Sequence, residues 1–302
     1  MPRFKDSAIV IRVQEWSQTS QVVTLLAAGR GKLRGLAKGS RRLAPSSMQR
    51  FSGGFDLLTI GEVVAVTRAG RELATLTEWD LQEPLPRLRR DLEALQASYY
   101  AADVVNALLA DEDPHPRTFA VLAGFLRQMG AGAGARGAAD PGLDEDTKTR
   151  RGGSGGAGDA VRGAGPGLVE DNKTRRGGAG LAAAMLALQW AVLEDVGLRP
   201  ELDLDVREPG VALPKQPTYT FDPGQGGLTA QDGEEAWRVR RATVELLRRV
   251  RAGDPLADAD AAAVARANRL LCVYIRHVVG RELATMGWVL NSRGPGSGAR
   301  VP

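Results

Sequence analysis

The sequence predicts an α+β protein: a small β-barrel over residues 1–82, then an all-helical C-terminal domain over 83–292 with a glycine-rich interruption inside it. Changes of pattern carry this reading. Up to Gln82, apolar residues alternate with the period of a strand; after Pro84 and Pro86, leucines recur three and four residues apart, the period of a helix. Between Gly130 and Gly180 neither period is present. A chain of 302 residues exceeds what one small core usually occupies, so two cores are expected.

The barrel opens with SAIVIRVQEW, where strict alternation puts Ile9, Ile11 and Val13 on one face and Ala8, Val10 and Arg12 on the other. QVVTLLA adds a β-branched strand, AGRG at 28–31 a glycine turn, and KLRGLAKG a third strand. FDLLTIGEVVAVTR, a turn at RAGRE, and LATLTEWDL complete five. Five short strands with glycine turns and no long helix describe an oligonucleotide-binding (OB) fold, with an SH3-type barrel as the alternative. In the second domain Leu88, Leu92, Leu95, Tyr99 and Ala102 mark the first helix. TFAVLAGFLRQM (118–129), LAAAMLALQWAVLEDVG (181–197), EEAWRVRRATVELLRRV (234–250) and a long segment over 259–290 supply the others.

Inside the interruption, PGLDEDTKTRRGG at 141–153 returns as PGLVEDNKTRRGG at 166–178, with 11 of 13 positions matching. A polar, glycine-flanked block buries no apolar face, so 131–179 is expected to be a disordered insertion. Its KTRRGG runs offer mobile arginine contacts to nucleic acid, but each block also carries acids. Residues 293–302 read as a flexible tail.

A single cysteine, Cys272, excludes an intramolecular disulfide and thiolate metal cages. The N-terminus MPRFKD is charged and does not read as a signal peptide. The most apolar stretch, 179–193, is too short to span a bilayer. A cytoplasmic protein without membrane contact is expected. GAGARG at 132–137 and GSGGAG at 153–158 satisfy the dinucleotide-binding glycine pattern, but neither joins a strand to a helix. GRGK at 29–32 lacks the Ser or Thr of a phosphate-binding P-loop, because Leu33 follows Lys32. His115 lies in a proline-flanked loop and His277 on a helix, with no nucleophile signature beside them. No catalytic residue is assigned, and an enzyme is not expected.

Charge is the strongest functional signal. Residues 1–82 carry 12 basic and 7 acidic side chains, a net of +5 within a chain whose total is +4. No acid occurs between Trp16 and Phe55. Alternation points Lys32, Arg34, Leu36 and Lys38 to one face of the third strand, and Arg41, Arg42 and Arg50 follow in the next loop. With Arg30 in the preceding turn, these cations form a candidate track for a phosphate backbone. An ordinary solvated strand with gatekeeper lysines is the competing reading. Trp16, Phe51, Phe55 and Trp79 are the nearby candidates for base stacking. Binding through backbone charge carries little sequence preference.

The run SQTSQVVTLLAAGRGKLRGLAKGSRR resembles the opening of the RecO family of recombination mediators. The matching elements are Ser20 to Leu25, Gly29 to Gly31 and Leu36 to Arg42. Resemblance resumes at VLEDVGLRPELD, YTFDPGQGGL and LLCVYIRHVVGRELATM. It implies an N-terminal OB-fold, binding to single- and double-stranded DNA, annealing of complementary strands, contact with single-stranded-DNA-binding protein, and cooperation with RecR in loading RecA. A general single-strand- or RNA-binding barrel without mediator activity is the alternative. Arg266, Arg269 and Arg276 on the C-terminal helix are candidates for holding an acidic partner tail. Many members of the family carry two cysteine pairs that bind zinc; the aligned positions here are Asp205, Glu208, Ala230 and Gly233. Two carboxylates with Ala and Gly cannot close a tetrahedral site, so no metal or other cofactor is expected. The segment 198–233 should instead be held by Leu202, Tyr219, Phe221 and Leu228.

Overall fold

The computed structural model describes residues 3–42, 44–52, 54–68, 70–131, 167–231 and 237–291, with side chains described throughout except over 167–179 and at 291. Strands β1 (Arg3–Ser17), β2 (Ser20–Ala27), β3 (Gly31–Ala37), β4 (Phe51–Ser52), β5 (Ile60–Val66) and β6 (Ala74–Glu83) form one sheet, ordered β3-β2-β1-β5-β6-β4. A parallel pairing of β3 with β6, Gly35 opposite Ala74 and Ala37 opposite Leu76, closes the sheet into a five-stranded barrel of OB type. Any side chain at Gly35 would overlap Leu76, so glycine is what lets the closing strands approach. A short helix, α1 (Pro45–Arg50), and the two-residue β4 bridge β3 to β5.

Alternation holds along β3 and fails along β1. Val10 lies opposite Leu25 but Arg12 lies opposite Thr24, so Ile11 forms a β-bulge. One extra residue swaps the faces beyond it. Ile9 and Ile11 lie on the outer side, Val13 packs with Ala8 and Val10 in the barrel, and Arg12 is exposed. This corrects the faces that strict alternation assigns to Arg12 and Val13. Phe51, Phe55 and Trp79 fill the barrel, with the Phe55 ring 5.7 Å from Phe51 and 5.0 Å from Trp79.

After a 3-10 turn at Pro86–Arg90 come α2 (Leu92–Leu108), α3 (Pro116–Ala131), α4 (Gly167–Asp195), α5 (Arg241–Ala252), α6 (Ala261–Val279) and α7 (Met286–Asn291). Asp91 caps α2 by accepting the Ala94 amide at 3.1 Å, and Asp260 caps α6 through the Ala262 and Ala263 amides. A buried polar chain ties three helices together. The Tyr100 hydroxyl donates to Gln189 Oε1 at 2.9 Å, Gln189 Nε2 to Asn268 Oδ1 at 2.7 Å, and Asn268 Nδ2 to the Ala182 carbonyl at 2.8 Å.

Three boundaries differ from the sequence expectations. Helix α4 starts at Gly167 rather than near Leu181: continuing from the packed stretch avoids the cost of a new nucleus, so the helix runs on through Gly177, Gly178 and Gly180 despite about 1 kcal/mol for each. The rest of the expected insertion, from 132 to 166, and the tail 293–302 lie outside the described residues. The expected helix 234–250 begins as strand β9 (Trp237–Arg240), which pairs with β7 (Thr218–Asp222) beside β8 (Gly227–Thr229). Trp237 stacks on Phe221 at 5.6 Å and Val239 lies opposite Tyr219, so tertiary pairing overrides the helical pattern. The helical domain therefore carries a small antiparallel sheet. The segment expected over 259–290 breaks at Gly280, whose φ of 72° caps α6.

The barrel's outer face joins the helical core. Ile9, Ile11, Leu26, Leu58 and Ile60 belong to one apolar cluster with Leu88, Ala101, Val104 and Val105. Burying each leucine or isoleucine contributes about 1.5–3 kcal/mol. Arg127 of α3 adds a two-pronged contact to Glu83 of β6, at 2.8 and 2.6 Å.

Candidate nucleic-acid interface

Strand register builds the site. Arg12 lies opposite Thr24, and Thr24 opposite Arg34, so one row crosses β1, β2 and β3 with an arginine at each end. With neighbouring strands about 4.8 Å apart, the two arginine backbones stand about 10 Å apart. The row floors a cleft of about 410 Å³ that also involves Gln14, Lys32, Asn106 and Asp111. Both arginines are exposed. Nothing in strict alternation pointed to Arg12; only the bulge at Ile11 brings it to this face.

The next row toward the helical domain holds Ile9, Leu26 and Lys32. Ile9 and Leu26 are buried in the shared core, and the Lys32 side chain is only 12% exposed. Its ammonium donates to the Asn106 carbonyl at 3.0 Å and lies 3.0 Å from Asp111 Oδ1. Lys32 thus points to the face the sequence expects, but helical-domain groups occupy it.

At the other end of β3, the Arg41 amide donates to the Thr19 carbonyl at 3.1 Å and the Arg41 guanidinium pairs with Glu15. These bonds hold the basic loop against the turn between β1 and β2. Lys38 and Arg42 are exposed there, and Trp16, next to Glu15, is 64% exposed. Phe51, Phe55 and Trp79 are taken by the barrel core, so Trp16 remains from the four candidate stackers. Arg30 lies apart, in the turn before β3, with its guanidinium 4.5 Å from the Phe4 ring centroid. Arg50 lies at the end of α1, 5.7 Å from the Phe51 ring centroid. The seven cations expected to form one track are therefore divided among four places on the barrel.

His115 has a structural partner set. Its Nδ1 lies 3.1 Å from Asp195 Oδ2, which also accepts the Thr118 hydroxyl at 2.6 Å and the Thr118 amide at 3.2 Å. Burial works against the charge of Asp195, but Thr118 and His115 outweigh it and hold the carboxyl below its ordinary pKa. His277 is exposed on α6.

Comparison with known sequences falls on this barrel first. Residues 1–85 match the family model described as Recombination protein O N terminal. A DNA repair protein RecO of Anaeromyxobacter dehalogenans (strain 2CP-C) is 27% identical over 292 residues, 94% of each chain. That of Anaeromyxobacter sp. (strain K) is 26% identical over 307 residues, covering 99% of this chain and 100% of the relative. That of Rhodopirellula baltica is 39% identical over 112 residues, 37% of this chain and 40% of the relative. The chain is similar to DNA repair proteins RecO along nearly its whole length, and its barrel matches their N-terminal model.

Of the positions aligned with the RecO zinc ligands, Gly233 lies outside the described residues; the other three are joined by hydrogen bonds. Asp205 Oδ2 accepts the Ala230 amide at 2.8 Å and the Thr229 hydroxyl at 3.1 Å, while Oδ1 accepts the Arg207 amide at 2.9 Å. Glu208 accepts Gln231 Nε2 at 2.6 Å. Burial opposes the charge on Asp205, yet these donors hold its pKa low. With both oxygens committed to donors, and Ala230 offering no ligand atom on its side chain, these residues do not fit a zinc ion. Leu202, Tyr219, Phe221 and Leu228 are buried beneath them.

On α6, Arg269 and Arg276 are exposed, with Arg276 4.0 Å from Glu282. Arg266 is half-buried, 3.4 Å from the Thr243 hydroxyl and 3.6 Å from Asp260. Among the described residues no helix is long and apolar enough to cross a membrane.

Proposed function

We propose that this chain is a non-enzymatic DNA-binding recombination mediator in DNA repair. The observation that carries the reading is the Arg12–Thr24–Arg34 row on the outer face of a RecO-type barrel, with both arginines exposed on either side of buried Thr24. A single strand lies along it, its phosphates met by Arg12 and Arg34 and then by Lys38, Arg41 and Arg42, with a base stacked on Trp16. Backbone contacts of this kind bind any sequence and either strand of a duplex end, which suits annealing and the loading of RecA with RecR at gaps coated by single-stranded-DNA-binding protein. The arginines of α6, a helix without acidic residues, are the proposed seat for that protein's acidic tail.

A strand-annealing assay on complementary oligonucleotides coated with the cognate single-stranded-DNA-binding protein tests the reading. A mediator accelerates annealing of the coated strands. Acceleration on bare strands alone supports a general nucleic-acid-binding barrel instead.

A further inference from the structure

The helical domain lays an acidic segment across the start of β3. Asp111, Glu112 and Asp113 are consecutive and exposed. Asp111 pairs with Lys32, the Glu112 amide donates to the Lys32 carbonyl at 2.8 Å, and the Asp113 carbonyl sits where any side chain at Gly31 would go. On one side of this strap, Asp111 borders the cleft of Arg12 and Arg34; on the other, Glu112 borders a second cavity shared with Arg30 and Phe4.

We propose that this strap is an internal competitor for phosphate on β3, an autoinhibitory contact that an incoming strand displaces. The proposal rests on the nucleic-acid reading of the same face. A carboxylate 3.0 Å from an ammonium occupies the place a phosphate oxygen would take. The strap meets β3 at one short bridge. Lys32 and Asp111 pair as a single parallel bridge, the Glu112 amide donates to the Lys32 carbonyl, and the Asp111 end of the ion pair is 54% exposed, open to an incoming phosphate. Glu112 adopts a left-handed φ of 60°, a conformation unfavourable for a residue with a side chain. Both ends are fixed, at buried Leu109 and at His115 on Asp195, so displacement can stay local.

The test is anisotropy titration of a labelled single-stranded oligonucleotide across a salt series, with thermal melts confirming that each full-length variant folds. Asp111→Asn should tighten binding about two- to fivefold at low salt. Because Lys32 then becomes available to one more phosphate, the magnitude of the log–log salt slope should rise by about 0.7. In a Lys32→Ala background the same substitution should leave the salt slope unchanged and lose most of its gain in affinity, keeping only what its charge does to the neighbouring Arg12 and Arg34 cleft. Glu112→Gln should act in the same direction through Arg30, while Asp254→Asn, an equal change of charge elsewhere, should leave affinity unchanged. Equal binding by wild type and Asp111→Asn would overturn the strap and leave the nucleic-acid reading standing. A gain as large from Asp254→Asn would also overturn it, by showing that net charge alone acts. No binding by any of these proteins would overturn both.

Discussion

The carboxylate of Asp205 accepts the backbone amide of Ala230 at 2.8 Å, joining two turns that the RecO family pattern joins through a metal. Removing that carboxylate leaves the Ala230 and Arg207 amides and the Thr229 hydroxyl without their acceptor, at about 1–3 kcal/mol for each group left buried. Asp205→Ala should therefore cost about 3 kcal/mol and lower the melting midpoint by roughly 6–12 °C. Added zinc or chelator should leave the wild-type midpoint unchanged, which differential scanning calorimetry reads directly.

Acid should unfold the protein through a defined set of carboxylates. The Arg127 hydrogen bond lowers the pKa of Glu83; for Asp195 and Asp203 burial works the other way but is outweighed, by Thr118 and His115 in one case and by Arg251 and Arg248 in the other. A folded-state pKa below the unfolded one gives stability that is complete above the ordinary carboxylate value of about 4 and is lost as pH falls through the lower folded value. Denaturant midpoints should thus be level between about pH 5 and 7 and fall below about pH 4. Asp195→Asn should show a shallower fall on the acid side.

The polar chain through Tyr100, Gln189 and Asn268 fixes how α2, α4 and α6 meet. Gln189→Leu would leave the Tyr100 hydroxyl and Asn268 Oδ1 buried without that partner, costing about 2–5 kcal/mol. Urea unfolding should show a lower midpoint with an unchanged slope.

Trp16 and Phe55 separate binding from folding. Trp16→Ala should weaken binding to single strands by about 1–3 kcal/mol in an anisotropy titration and leave the melt unaltered. Phe55→Ala, inside the barrel, should instead cost about 3–5 kcal/mol of stability.

How much of this was legible in the sequence depended on whether a pattern was local. The five barrel strands and the face of Lys32, Arg34 and Lys38 follow from period-two alternation, which β3 keeps. Arg12 was misassigned because one bulged residue reverses a strand's faces and leaves no mark in composition. The pairing of Lys32 with Asp111 joins a barrel strand to the segment between α2 and α3, far apart in the chain, and no local rule reaches it. Trp237 and Val239 fit a helical pattern and a strand equally well; contact with Phe221 and Tyr219 decides between them. Asp205 and Glu208 were legible as lost metal ligands, but not as the acceptors that replaced the metal.

The central claim is that the Arg12–Thr24–Arg34 row holds phosphates, and the salt dependence of single-strand binding tests it most directly. Changing Arg12 and Arg34 together to Ala should weaken binding to oligonucleotides of different sequence alike and reduce the magnitude of the log–log salt slope by about 1.4, or about 0.7 for each phosphate no longer neutralised. An unchanged slope and affinity in a variant that melts like the wild type would contradict the account and move the DNA site away from this face of the barrel.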